Sequence, residues 1–115
     1  MSIFMKSTIK VKAHQAGEFL EVLKTYLVPL MEDQGWRLHG CFAQRFGSIQ
    51  PAVFTDIWEM EDMDHVERVL HNFGYRTDER YQKALPVLKS AVLEEALEFM
   101  ELKMGRLEKF YPERG

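Results

Sequence analysis

The sequence predicts one α+β domain in the order strand, helix, strand, strand, helix, closed by a segment of ambiguous character. Three observations lead there. Three stretches alternate their side chains with period two. The stretches between and after them repeat apolar residues at helical spacing. The length, 115 residues, is that of one ordinary domain, taken as 1–115.

Met5, Ser7, Ile9 and Val11 fall on one face of the first stretch, and Lys6, Thr8, Lys10 and Lys12 on the other, the pattern of a half-buried strand. HQAG turns the chain. Phe19, Val22, Leu23, Tyr26, Leu27 and Leu30 then form a helical stripe. Pro29 should loosen or kink this helix, because it lacks a donor and crowds the carbonyl four residues back. Gly35 is the natural terminator. From Trp36 to Phe46 the period is two again: Leu38, Gly40 and Phe42 share a face with Trp36, and Arg37, His39, Cys41, Ala43 and Arg45 share the other. Gly47-Ser48 turns into a third strand, Ala52 to Met60, to give a hairpin. Neither strand has an all-polar face, so both sides of the sheet need cover. The domain's own helices can hide one side; hiding the other calls for a second copy of the chain.

Asp64 and Glu67 have capping-box spacing, with Asp62 as a competing cap, before a helix whose apolar face is Val66, Val69, Leu70 and Phe73. Gly74 ends it. Another helix begins near Thr77-Asp78-Glu79 and runs through Tyr81, Leu85 and Leu88 around Pro86. The tail is two-sided. Leu93, Leu97, Met100, Met104 and Leu107 recur at helical spacing, and local propensity extends a helix through 94–103. A βαββαβ sheet instead wants a fourth strand there, around 97–104.

Composition narrows the function classes. The formal net charge of -3 argues against a nucleic-acid footprint. No apolar run approaches the ~20 residues of a membrane span, and the N-terminal stretch has no long apolar signal core. A cytoplasmic location is the expectation. Cys41 is the one cysteine, which excludes an internal disulfide and favours a reducing compartment. No glycine-rich phosphate loop or metal motif is present, so neither a cofactor nor a metal is expected.

TIKVKAHQAGEFLEVL, GWRLHGCFAQRFGSIQPAVFTDIWEMED and YQKALPVLKS, in that order and spacing across roughly residues 5–103, resemble the NIPSNAP family of the dimeric α+β barrel superfamily. The resemblance implies a ferredoxin-like βαββαβ sheet with helices on one face, paired into a dimeric barrel, and it is the main reason to prefer a strand in the tail. Related barrels include monooxygenases, isomerases, cyclases, dehydratases and proteins without known activity. No catalytic motif carries over residue by residue.

Ionisable side chains on the strands are the candidate site. His39 is the expected acid or base, Asp56 its orienting partner or a substrate ligand, and Arg37 or Arg45 the group that holds a substrate oxyanion. Trp58 would form an aromatic wall, and Cys41 adjoins His39 on the same face. An edge histidine, an ordinary Asp-Arg pair at a dimer rim, a core tryptophan and a small buried cysteine explain the same letters. His14 reads as a loop histidine. His65 and His71, six apart, do not share a helical face. Arg76, Arg80 and Tyr81 could form a lid or simply cap a helix.

Two functions follow. One is a small-molecule enzyme (cyclase, isomerase, dehydratase or cofactor-free monooxygenase) acting by acid/base catalysis on an aromatic or apolar oxygenated metabolite. The other is a non-catalytic ligand-binding or structural homodimer. Haem binding, by analogy with related barrels, would need His14, His65 or His71 to face a cavity.

Overall fold

The computed structural model describes residues 2–45, 51–72 and 74–104. Strand β1 (Ile3–Val11) leads through a 3-10 turn (Ala13–Gln15) into α1 (Ala16–Val22), a π turn (Leu23–Leu27) and α2 (Val28–Asp33). Strands β2 (Arg37–Ala43) and β3 (Ala52–Met60) follow, then α3 (Met63–Asn72), a 3-10 turn (Gly74–Thr77), α4 (Glu79–Ala91) and β4 (Val92–Met100). The four strands lie in the order β2-β3-β1-β4, each pair antiparallel, which is the ferredoxin-like arrangement.

The alternation read from β1 and β3 is the alternation observed. Met5, Ser7, Ile9 and Val11 are buried, and the first three pair in register with buried Trp58, Asp56 and Phe54, while Val11 pairs with half-buried Ala52. The helices cover this face and bury Phe19, Leu23, Leu30, Val66 and Val69 over it. Full burial of a side chain such as Phe19 or Leu30 stabilises the fold by about 1.5–3 kcal/mol. Among the described residues no helix is long and apolar enough to cross a membrane.

Pro29 acts earlier than a simple kink would. It occupies the first turn of α2, and the five residues before it form the π turn, in which the Val28 N–H reaches back to the Leu23 carbonyl. Gly35 ends α2 at φ +94°, a left-handed conformation that disfavours any side chain. A Cβ there would also stand 3.0 Å from the His65 ring.

That ring latches α3 to α2. The Glu61 N–H donates to His65 Nδ1 at 3.4 Å, and Nε2–H donates to the Gln34 carbonyl at 2.6 Å. The cap of α3 is Asp62, not Asp64: its carboxylate accepts the His65 backbone N–H at 2.8 Å. Asp78 caps α4 as expected, and Arg80 ties that end to Asp33 at 2.7 Å.

Two expectations need correction. The last element is a strand, but it runs from Val92 and not from Leu97, and the helical reading of 94–103 fails. Lys10 and Lys6 face Glu94 and Glu98 across the β1–β4 pair, an environment outside the tail that local propensity ignores. β2 ends at Ala43, short of Phe46, while the Gly47-Ser48 turn and Phe73 lie outside the described residues.

Candidate functional site

One register level crosses the helix-covered face of the sheet as a polar row. Cys41 on β2 pairs with Asp56 on β3, and Asp56 pairs with Ser7 on β1. Apolar packing falls into two clusters on either side of that row. Met5, Trp36, Trp58, Met60, Val66 and Val69 form one, and Ile9, Val11, Phe19, Leu23, Phe54 and Ala91 the other. Residues i and i+2 on a strand share a face, so a single polar position in each strand is enough to split the core.

A cleft of about 490 Å³ opens over this row. Ser7, Asp56, Trp58 and Glu95 contribute to its sheet side; Leu23, Leu27, Tyr81, Leu85 and Leu88 contribute to its helix side. Trp36, Tyr75 and Arg76 complete one end, and Lys89 and Val92 the other. Both helical walls are irregular. The π turn carries Leu23 and Leu27, and Pro86 interrupts the hydrogen bonding of α4 between Leu85 and Leu88. This volume and its mostly apolar lining suit a small organic ligand.

Asp56 is only 2% exposed. Burial raises its pKa above the ordinary 3.8, while hydrogen bonds from the Cys41 thiol and the Trp58 indole pull the other way. Its Oδ1 is buried with no hydrogen-bond partner. Glu95 lies on β4 opposite Ile9, beyond β1 from Asp56. Burial raises its pKa too, and the charge of Asp56 adds to the rise. Asp56 thus makes ionisation of its neighbour harder, and burial makes its own ionisation costly. Burial and then Asp56 push the Cys41 thiol up to about 12, which leaves it protonated and makes it a donor to Asp56 instead of a nucleophile.

The expected His39–Asp56 pair does not form. A bulge between Leu38 and Gly40 inserts His39 as an extra residue and reverses the parity of β2 beyond it. Cys41 consequently turns to Asp56 on the helix-covered side, and His39 stays with Glu59 on the open side at 2.7 Å. Arg37 also faces Glu59, at 3.9 Å, and Phe4 packs on the His39 ring with centroids 5.5 Å apart. Arg45 is exposed beyond the end of β2 and does not line the cleft, so no Asp56–Arg45 pair exists. Of the expected site residues, only Asp56 and Trp58 meet in the cleft, with exposed Cys41 beside Asp56 on the edge strand β2. No histidine lines this cleft; His65 lines a separate pocket of about 340 Å³, where its Nε2–H is taken up by the Gln34 carbonyl. Of the lid candidates, Arg76 and Tyr81 line the cleft, whereas Arg80 is engaged by Asp78 and Asp33.

Ser7, Trp36, Tyr75 and Glu95 were not singled out by the sequence, although Ser7 carried a signal. It is the lone hydroxyl in the buried phase Met5, Ser7, Ile9, Val11. Glu95 carried none, since its phase has meaning only once the tail is known to be a strand.

The fold has solved relatives. A NIPSNAP family protein from Agrobacterium tumefaciens superposes with a TM-score of 0.76 at 14% identity, covering 93% of this chain and 99% of that one. A NIPSNAP domain protein from Burkholderia xenovorans gives 0.69 at 20% identity, covering 89% and 94%. A Caulobacter crescentus protein with the provisional description of an antibiotic biosynthesis monooxygenase gives 0.57 at 15% identity, covering 90% and 91%. At these identities the likeness establishes the fold alone. No curated protein matches the chain. The sequence pattern of the NIPSNAP family matches residues 7–108, nearly the whole chain, and the protein belongs to that family.

Proposed function

We propose that the cleft binds an aromatic or otherwise apolar, oxygenated small molecule and that Asp56 moves protons on it. Proton transfer is the step shared by cyclisation, isomerisation, dehydration and cofactor-free oxygenation. The observation that carries the reading is Asp56 Oδ1, buried without a partner in a cleft of about 490 Å³. Such an atom costs about 1–3 kcal/mol to leave unsatisfied, a cost that a ligand would offset. Trp58 and Cys41 lie beside the carboxyl as potential donors and favour its charged form. The role first expected of His39 passes to Asp56 in this reading, because His39 faces away from the cleft.

The test follows exchange of the protons beside the carbonyl of 4-hydroxyphenylacetone in D2O by NMR. Wild-type protein should accelerate exchange, and Asp56→Asn should slow it by about 100-fold or more. Equal exchange with both proteins rejects Asp56 as the proton carrier.

A second reading, a non-catalytic homodimer, draws on the other side of the sheet. There Phe42 is 59% exposed, on the same side as Phe4, Val53 and Ile57. A second copy would cover these side chains. This pairing is compatible with a working cleft, which lies on the opposite face.

A further inference from the structure

Two buried polar side-chain atoms lack a hydrogen-bond partner among the described residues: Asp56 Oδ1 and Trp36 Nε1. Both belong to side chains lining the same cleft. Trp58 touches both. Its ring meets Trp36 edge-on with centroids 6.1 Å apart, and its indole hydrogen-bonds to Asp56. The orphan donor and the orphan carboxyl oxygen are thus set apart by about one aromatic side chain. An indole N–H can only donate, so its missing partner is an acceptor. Asp56 takes or gives a proton. The cleft lining carries charges of both signs, with Glu95 on the sheet side and Arg76 and Lys89 at the ends.

We propose that the cleft selects a molecule with two oxygen functions, a carbonyl-type oxygen that accepts from the Trp36 indole and a proton-bearing position that meets Asp56. This inference rests on the cleft being the small-molecule site and goes further by naming the functional groups its ligand must carry. An aromatic ring is a suitable spacer, since the cleft lining is mostly apolar. The carbonyl contact is the specificity element: a site built around a buried donor discriminates against a molecule that leaves it unpaired.

Trp36 and Trp58 are the only tryptophans in the chain, so two indole N–H signals and the intrinsic fluorescence both report on the cleft. Two matched probes serve: 4-hydroxyphenylacetone and 4-propylphenol, which lacks the carbonyl. At pH 7 the ketone should bind about 10-fold more tightly than 4-propylphenol, the loss of one hydrogen bond to a buried donor. The Trp36 indole proton should move downfield with the ketone and not with 4-propylphenol. In Trp36→Phe, followed by Trp58 fluorescence, the ketone and 4-propylphenol should bind equally. If that variant does not fold, the wild-type indole shift decides. Binding of 4-propylphenol as tight as that of the ketone, or an unmoved Trp36 signal, overturns the carbonyl contact and leaves the cleft reading standing. If neither probe binds, both fall.

Discussion

Asp56 and Glu59 are near neighbours on β3 and have opposite fates. Asp56 looks toward the helices, where burial drives its pKa up. Glu59 looks toward the open side, where hydrogen bonds from Ser2 and then His39 hold its pKa down. The difference comes from the two sides of one sheet. The covered side offers a carboxyl few partners and little water; the open side offers an imidazole, a guanidinium and solvent. A strand places acids of the same chemistry in these two settings merely by changing parity, and the site belongs to the side where ionisation is costly.

The comparison can be broken most forcefully at Phe19. Its ring is fully buried and stacks on Phe54 with centroids 5.5 Å apart. Phe19→Ala should cost about 3–5 kcal/mol in denaturant unfolding. Phe42, equally aromatic but on the open side, should behave otherwise. Phe42→Asp is expected to leave far-UV circular dichroism unchanged and to halve the mass seen by light scattering if two copies pair through that face. A chain that is monomeric before the substitution sinks the pairing, and a loss of fold comparable with Phe19→Ala would erase the distinction between the sides.

The two carboxyl groups sharpen it further, because their pH dependences have opposite sign. A raised folded-state pKa penalises the native state as pH climbs past the ordinary value of 3.8, in full once the raised value is passed. Asp56→Asn should therefore gain on wild type as pH rises through that window. A lowered folded-state pKa stabilises the native state above the ordinary 4.5, and that contribution disappears as pH falls through the depressed value. Glu59→Gln should lose to wild type above about pH 4.5 and draw level in acid. Thermal melts of both variants between pH 3 and 8 test this; parallel profiles would contradict the assignment of the two acids to different environments. The smallest effect belongs to Lys10→Ala, which removes an exposed ion pair with Glu94 at 3.1 Å and should change stability by less than about 1 kcal/mol.

Much of the fold was legible in the chain. The alternation in β1 and β3, the helical stripe ending at Gly35, the Asp78 cap and the strand-helix order all follow from local periodicity and turn chemistry. About half of the candidate site was legible too. Asp56 and Trp58 share a phase on β3, so their meeting in one place follows from period two. His39 misled because the period-two rule holds only while pairing is regular. The bulge after Leu38 adds one residue, and no residue type in RLHGCFA announces it apart from Gly40.

Local physics alone therefore determined which segments pleat, which coil, and which face of β1 and β3 is apolar, because those properties depend on neighbours a few residues away. Tertiary structure decided the rest. Pairing with β1 made the glutamate-rich tail a strand against its own propensity, and the β2–β3 register sent His39 and Cys41 to opposite sides. The packing of two interrupted helices over one polar row opened a cleft where one carboxyl oxygen and one indole N–H lack partners among the described residues. Such features arise from contacts between residues far apart in the chain, whose energies outweigh the small preferences of any one segment.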